Sequence, residues 1–210
     1  AKHAAHVVST NFAIFGLGFV AYFLCGFAFM YGGFSYAPFG MDAPIGGPLI
    51  GSGEWTFLYK GGFALGDIGK AGGAAVAGYF LYMVAFMDTV ATIPTGAMAE
   101  RWQWGSFVVW GFFCGAIYYP LFAAWTWGGG WLSKTWDTMS LGAGYVDFAG
   151  SGVVHTVGGV AALAGVLAFD IMPGVMIGLA LALFKLAHDI HNPAIAVVGR
   201  TPSGAFVDVD

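Results

Sequence analysis

Residues 73–99 read GAAVAGYFLYMVAFMDTVATIPTGAMA, an apolar run with a single charged side chain, Asp88. A helix that crosses a bilayer needs about 20 mostly apolar residues, because each residue advances about 1.5 Å along the helix axis. This run is therefore long enough to span a membrane. Comparable runs occur elsewhere in the chain, and the last of them is weaker: 11–33, 107–127, 147–169 and 171–187.

The composition supports the same fold class over most of the chain. Hydrophobic residues make up 59% of the sequence and charged residues only 9%, whereas soluble domains carry roughly a quarter charged residues. We therefore predict an all-α integral membrane protein, a polytopic transmembrane helix bundle over residues 1–187 with a polar extra-membrane tail at 188–210. Pro173 and Lys185 leave 171–187 open to either a full span or a re-entrant or interfacial helix.

Two long, glycine-rich connections lie between the predicted spans, at 34–70 and 128–146, whereas the link near residue 100 is short. Because successive spans alternate in direction, both long connections must lie on one face of the membrane and Arg101 on the other. Lysines and arginines divide evenly between these faces, so the positive-inside rule does not orient the chain.

Several function classes find no support in the sequence. The net charge is −4 and the seven Lys and Arg residues are scattered, so the basic patch that nucleic-acid binding requires is missing. No nucleophile-and-base motif, phosphate-binding loop or spaced set of Cys and His ligands is visible. We expect neither an enzyme nor a metal site nor a resident cofactor.

Ionisable residues inside a span are costly, so each is a functional candidate. Asp147 begins the fourth predicted span, where its carboxylate can cap the first turn of the helix. A cap and a role in cation binding both remain open for this residue. His155 lies eight residues further along, about 12 Å deeper at helical rise, where a neutral imidazole offers one hydrogen-bond donor and one acceptor. For Asp88 we expect a polar partner on a neighbouring helix or loop.

Two aromatic residues lie at the same end of the bundle as Asp147. Phe86 is near the loop-rich end of the second span, and Trp127 is at the matching end of the third span. Aromatic faces attract small cations, with an energy of about 1 kcal/mol or more when water is excluded. The pair predicts a vestibule that collects cations, although anchoring at the membrane interface explains either aromatic residue alone.

Three ordered motifs carry a family resemblance. They are GAMAER at 96–101, WGGG at 127–130 and DFAGSGVVH at 147–155, the last followed by Gly158 and Gly159. On these motifs the chain resembles the ammonium transporter, methylammonium permease and Rhesus family.

The resemblance implies a role for each candidate residue. Phe86, Trp127 and Asp147 would form an outer recruitment site for substrate, with Phe86 also at the outer gate of the pore. His155 would be the first of two pore histidines, and Arg101 would face the cytoplasm. The family fold further implies a channel, a homotrimer and a multi-pass location in the cell membrane.

The resemblance covers roughly residues 7–169 and matches only the second to fifth spans of the family fold. We therefore expect an incomplete unit that forms part of a longer protein, and an inverted pair of half-size subunits is the alternative. The expected function is transport of ammonium or ammonia, with methylammonium as a related substrate. An ammonium sensor with a cytoplasmic signalling partner and a non-conducting membrane subunit are the alternatives.

Overall fold

The computed structural model describes residues 4–98, 102–168, 198–200 and 206–208. The chain divides into two compact units, residues 1–165 and 166–210. Within the described residues, three helices are long and apolar enough to cross a membrane: α1 (Ala4–Tyr31), α2 (Ala74–Ala97) and α3 (Trp104–Trp125). A short helix, α4 (Thr135–Met139), follows. The next helix, α5, begins with π-helical turns over Ser151–Thr156 and continues as an α-helix over Val157–Ala168.

The fold class is confirmed as a polytopic membrane helix bundle, but two helices begin at positions different from those predicted. Helix α1 begins at Ala4 rather than near residue 11. The polar side chains of its first turns are satisfied within the helix, since Ser9, Thr10 and Asn11 donate hydrogen bonds to carbonyl oxygens one turn back. Helix α5 begins after Asp147 because this residue lies before the first turn and caps it. The weak segment at 171–187 lies outside the described residues.

One face of α2 forms the centre of the core. Its buried side chains recur every three or four residues, as expected for a helix whose stripe faces its neighbours: Val76, Phe80, Met83, Val84, Met87, Val90, Ala91 and Pro94. They pack against Tyr22 of α1 and Tyr119 of α3, both fully buried. The outer faces of the same helices remain exposed and apolar, for example at Leu81 and Val109, as suits contact with lipid.

Helices α1 and α3 approach each other through glycines at two π-helical segments, Tyr22–Gly26 and Cys114–Tyr118. A Cβ atom at Gly26 would overlap the carbonyl oxygen of Gly115, and a Cβ atom at Gly115 would lie 2.5 Å from the carbonyl oxygen of Gly18. Small residues allow such close contact between backbones, which is a main source of helix association in lipid.

The long connection between α1 and α2 contains a β-hairpin that was not predicted. Strands β1 (Gly47–Ser52) and β2 (Trp55–Lys60) pair antiparallel. Strand β2 meets the second long connection, since the backbone N–H of Trp131 donates to the Thr56 carbonyl at 3.0 Å. The indole N–H of Trp125 donates to the Phe57 carbonyl, also at 3.0 Å. The prediction that both long connections lie on one face is therefore confirmed.

The second unit contributes one further pair of strands within the predicted tail. Strands β3 (Val198–Arg200) and β4 (Phe206–Asp208) pair antiparallel. The tail therefore contains short β structure where the sequence indicated no helix, and its remaining residues lie outside the described part of the chain.

Candidate functional site

The two aromatic residues singled out from the sequence are in contact. The rings of Phe86 on α2 and Trp127 just after α3 lie nearly perpendicular, with centroids 5.2 Å apart and planes at 80°. Tyr82, one turn before Phe86, adds a second edge-to-face contact at 5.1 Å. Sequence reasoning missed Tyr82, although its four-residue spacing from Phe86 places both side chains on one face of a helix. The predicted pair is thus a cluster of three aromatic residues.

Trp127 is held in place by a hydrogen bond to the connection that precedes α5. Its indole N–H donates to the backbone carbonyl oxygen of Asp147 at 2.7 Å. The chain turns sharply beside it, since Gly129 adopts a left-handed conformation with φ of 77°. The tryptophan therefore links the C-terminal end of α3 to the start of α5.

The Asp147 carboxylate caps α5. One oxygen accepts the backbone N–H groups of Gly150 at 2.6 Å and Ser151 at 2.9 Å, and the other accepts those of Gly152 at 2.9 Å and Val153 at 2.7 Å. The first N–H groups of a helix have no partner within the helix, and an unpaired backbone group in lipid costs several kcal/mol. Asp147 is only 7% exposed. The structure thus confirms the capping interpretation.

This capping limits what Asp147 can do for a cation. Four N–H groups occupy its two oxygens, so the carboxylate is not an open ligand pointing at the aromatic cluster. Its negative charge still lies close to that cluster, because the backbone carbonyl of the same residue bonds Trp127. A cation near Trp127 would feel this charge through space rather than by direct coordination.

A cleft of about 520 Å³ opens in front of the aromatic cluster. Most of its lining is aromatic, and all three members of the cluster contribute to it. The lining residues are Phe34, Tyr36, Phe39, Tyr79, Tyr82, Met83, Phe86, Trp127, Val146, Asp147 and Phe148. Ring faces of this kind can stabilise a small cation as it loses water. The cleft is therefore suited to a cationic guest and poorly suited to an anion.

His155 lies in the π-helical turns of α5 and is exposed. Its backbone N–H donates to the carbonyl oxygen of Gly150, five residues earlier, at 2.9 Å. Exposed positions continue along the same helix at Ser151, Gly159 and Val160. The histidine thus lies on a face of α5 that the described helices do not cover, on the helix that Asp147 caps.

Asp88 is only half-buried, yet one of its carboxylate oxygens, Oδ1, is buried without a hydrogen-bond partner among the described residues. The expected polar partner is therefore not found within that part of the chain. The side chain lines a second cleft, of about 430 Å³, together with residues of α1: Val8, Asn11, Phe12 and Phe15. Asp88 is separate from the aromatic cluster.

The fold is that of a polytopic membrane protein, with an aromatic cleft and a capped π-helical turn that carries a histidine. A family model described as the Ammonium Transporter Family matches residues 1–199. The chain belongs to the ammonium transporter family. The match reaches beyond residue 169, where the motif-based resemblance ended.

Curated relatives with similar sequences agree with this assignment. Ammonium transporter Amt2 of Archaeoglobus fulgidus is 36% identical over 169 residues, which cover 80% of this chain and 32% of the relative. Ammonium transporter 1 member 3 of Solanum lycopersicum is 38% identical over 162 residues, covering 77% and 30%. The putative ammonium transporter sll1017 of Synechocystis is 33% identical over 167 residues, covering 79% and 32%.

The chain spans about a third of the length of these relatives. No solved structure matches it.

Proposed function

We propose that the protein transports ammonium or ammonia across a membrane, with methylammonium as a related substrate. One observation carries the proposal: the Phe86–Trp127 aromatic pair is hydrogen-bonded through Trp127 to Asp147, the residue that caps the helix of His155. A cation-collecting cleft and a histidine further along the same structural unit are the parts that such transport requires.

The cleft would serve as the recruitment site. Ammonium loses hydration as it enters, and the faces of Tyr82, Phe86 and Trp127 replace part of the lost stabilisation. The nearby charge of Asp147 adds long-range attraction without binding the ion directly. Phe86 would also act as the outer gate of the pore, since along α2 it would lie deeper in the membrane than Tyr82.

His155 would act on the guest deeper in the membrane. A neutral imidazole can accept a proton or hydrogen bond at one nitrogen and donate at the other, so it can pair with either ammonia or a relayed proton. Its exposed position on α5 supports a conducting path along the uncovered face of that helix. We further propose a homotrimer in the cell membrane, as in the family resemblance.

The test uses the protein expressed from its complete gene and reconstituted in proteoliposomes. Ammonium-dependent current or labelled methylammonium uptake should be present in the wild type and fall at least about tenfold in His155→Ala, since a proton-handling group is worth a factor of a hundred or more where it takes part in the rate-limiting step. The matched control is His6→Ala, an exposed histidine of α1 that should retain uptake.

Two outcomes would redirect the proposal. Saturable ammonium binding with no flux in the wild type would select the sensor, for which a cytoplasmic signalling partner should then co-purify. Absence of both binding and flux would reject ammonium transport and sensing together.

A further inference from the structure

A chain of hydroxyl groups lies behind the aromatic cleft. The hydroxyl of Tyr79 donates to the hydroxyl oxygen of Tyr31 at 3.0 Å, and the Tyr31 hydroxyl donates to the sulfur of Met83 at 3.3 Å. Tyr31 is 2% exposed, so no solvent competes for its bonds. Tyr79 and Met83 both line the cleft in front of Phe86 and Trp127.

The direction of this chain follows from its last member. A thioether sulfur has no proton and can only accept a hydrogen bond, so the single proton of Tyr31 must point to Met83 for that bond to exist. The Tyr31 oxygen is then free to accept, and Tyr79 supplies its only proton to it. If the two hydroxyl groups were oriented the other way, the hydrogen bond to the Met83 sulfur would be lost. Lost hydrogen bonds are most costly in a buried site such as this one.

The consequence is a Tyr79 hydroxyl whose proton is already donated to Tyr31, so that its oxygen has only lone pairs to offer to a ligand. Such an acceptor suits a ligand whose polar groups are all donors, and ammonium is a ligand of this type. Bonds along a chain also polarise one another, which makes the Tyr79 oxygen a better acceptor than an isolated phenol.

Tyr79 lies where an incoming cation would pass. Its ring stacks on Phe34 with centroids 6.0 Å apart and planes at 12°, and it lies 6.4 Å from the ring of Tyr82. The side chain borders both the cleft in front of Phe86 and an adjacent cleft of about 370 Å³. The other strong acceptor of the main cleft, Asp147, is occupied by backbone N–H groups.

We propose that Tyr79 is a further ammonium-binding residue, whose hydroxyl oxygen accepts a hydrogen bond from a cation held against the rings of Tyr82 and Phe86. Tyr31 and Met83 act as positioning residues that keep the Tyr79 proton turned away from the cleft. This inference rests on the proposed transport of ammonium.

The test compares three Tyr→Phe variants of the complete protein in the uptake assay. In Tyr79→Phe the ammonium concentration for half-maximal uptake should rise roughly tenfold, as expected for the loss of one hydrogen bond to a charged group. The maximal rate should stay within about twofold, because the cation is bound less tightly while the deeper steps are unchanged.

The Tyr31→Phe variant tests whether Tyr79 acts as a hydrogen-bond acceptor or only through packing. Tyr79 keeps its hydroxyl in this variant but loses the partner that holds its proton, so the half-maximal concentration should rise by a few-fold, on the order of a weak hydrogen bond. The control is Tyr22→Phe, which removes a hydroxyl that donates to the sulfur of Met30 at 3.3 Å. Tyr22 is fully buried and does not line the cleft, so its variant should match the wild type.

The outcomes are separable. If the wild type shows uptake and Tyr79→Phe leaves the half-maximal ammonium concentration unchanged, the inference about Tyr79 is overturned and the proposed function stands. Equal increases in Tyr79→Phe and Tyr22→Phe would also overturn it, because a general loss of packing would then explain both. No uptake or binding by the wild type would overturn the proposed function and this inference with it.

Discussion

The indole N–H of Trp127 and the backbone carbonyl oxygen of Asp147 form a hydrogen bond 2.7 Å long. This bond joins an aromatic wall of the cleft to the cap of the helix that carries His155. The aromatic cleft and the start of α5 are thereby held in a fixed relation by two residues that are 20 positions apart.

Trp127→Phe retains an aromatic face but removes the indole donor. We expect the half-maximal ammonium concentration to rise by about three- to tenfold, since a neutral hydrogen bond is worth roughly 1 kcal/mol and the face of phenylalanine binds cations less well. Uptake measurements across ammonium concentrations check this. Trp136→Phe is the matched control, because Trp136 is 51% exposed on α4 and should behave as wild type.

Asp147→Ala should destabilise the fold through the start of α5. The change leaves four backbone N–H groups without their acceptor, and each buried unsatisfied group costs about 1–3 kcal/mol. We expect a lower midpoint of thermal unfolding in detergent, with Asp147→Asn intermediate because one amide oxygen can still accept. The exposed Asp137 provides the control variant, Asp137→Asn. Equal midpoints for Asp147→Ala and the control would contradict the capping role.

Gly26→Ala should prevent the close approach of α1 and α3. The added methyl group would meet the carbonyl oxygen of Gly115, and backbone cannot move aside as a side chain can. We expect reduced yield of folded protein in size-exclusion chromatography. Gly16→Ala is the control, because nothing lies within 4 Å of a Cβ atom there; a normal elution profile for Gly26→Ala would contradict the packing described.

The hydroxyl of Tyr59 on β2 should make the folded protein less stable at alkaline pH. Burial raises the pKa of its hydroxyl from 10.0 to about 12, because the charged form loses solvation. Below pH 10 the phenol is neutral in both folded and unfolded states. Between pH 10 and 12 only the unfolded state releases its proton, so the free energy of unfolding decreases as pH rises.

The measurement is the ultraviolet absorbance of tyrosinate as pH increases. A component that titrates near pH 12 should disappear in Tyr59→Phe. Persistence of that component in the variant would assign it to another tyrosine.

The spacing of charges was enough to predict the long helices and the shared face of the two long connections. The start of α1 was harder to predict, because Ser9, Thr10 and Asn11 interrupt the apolar pattern although carbonyl oxygens of the same helix satisfy their side chains. The two strands of the hairpin β1–β2 pair locally, but β1 begins with Gly47 and Pro48, residue types that are depleted in strands. A run of this composition does not show the alternating pattern of a strand.

The candidate site was predictable to a similar extent. Residue type and position identified Phe86, Trp127, Asp147 and His155, whereas their contacts depend on tertiary structure. The full occupation of the Asp147 carboxylate by four N–H groups depends on how this residue folds back over the first turn of α5, which sequence patterns do not reveal. Roles in recruitment and conduction remain proposals for the experiments above.

The π-helical turns at the start of α5 also affect the direction in which its side chains point. An α-helix turns by about 100° per residue, and a π-helical segment holds one residue more per hydrogen-bonded ring than the α-helix. Removal of a single residue between Ser151 and Thr156 would let these turns wind as a regular α-helix, and the side chains that remain in them would face new directions. The direction in which His155 points is therefore coupled to residue count as much as to residue type.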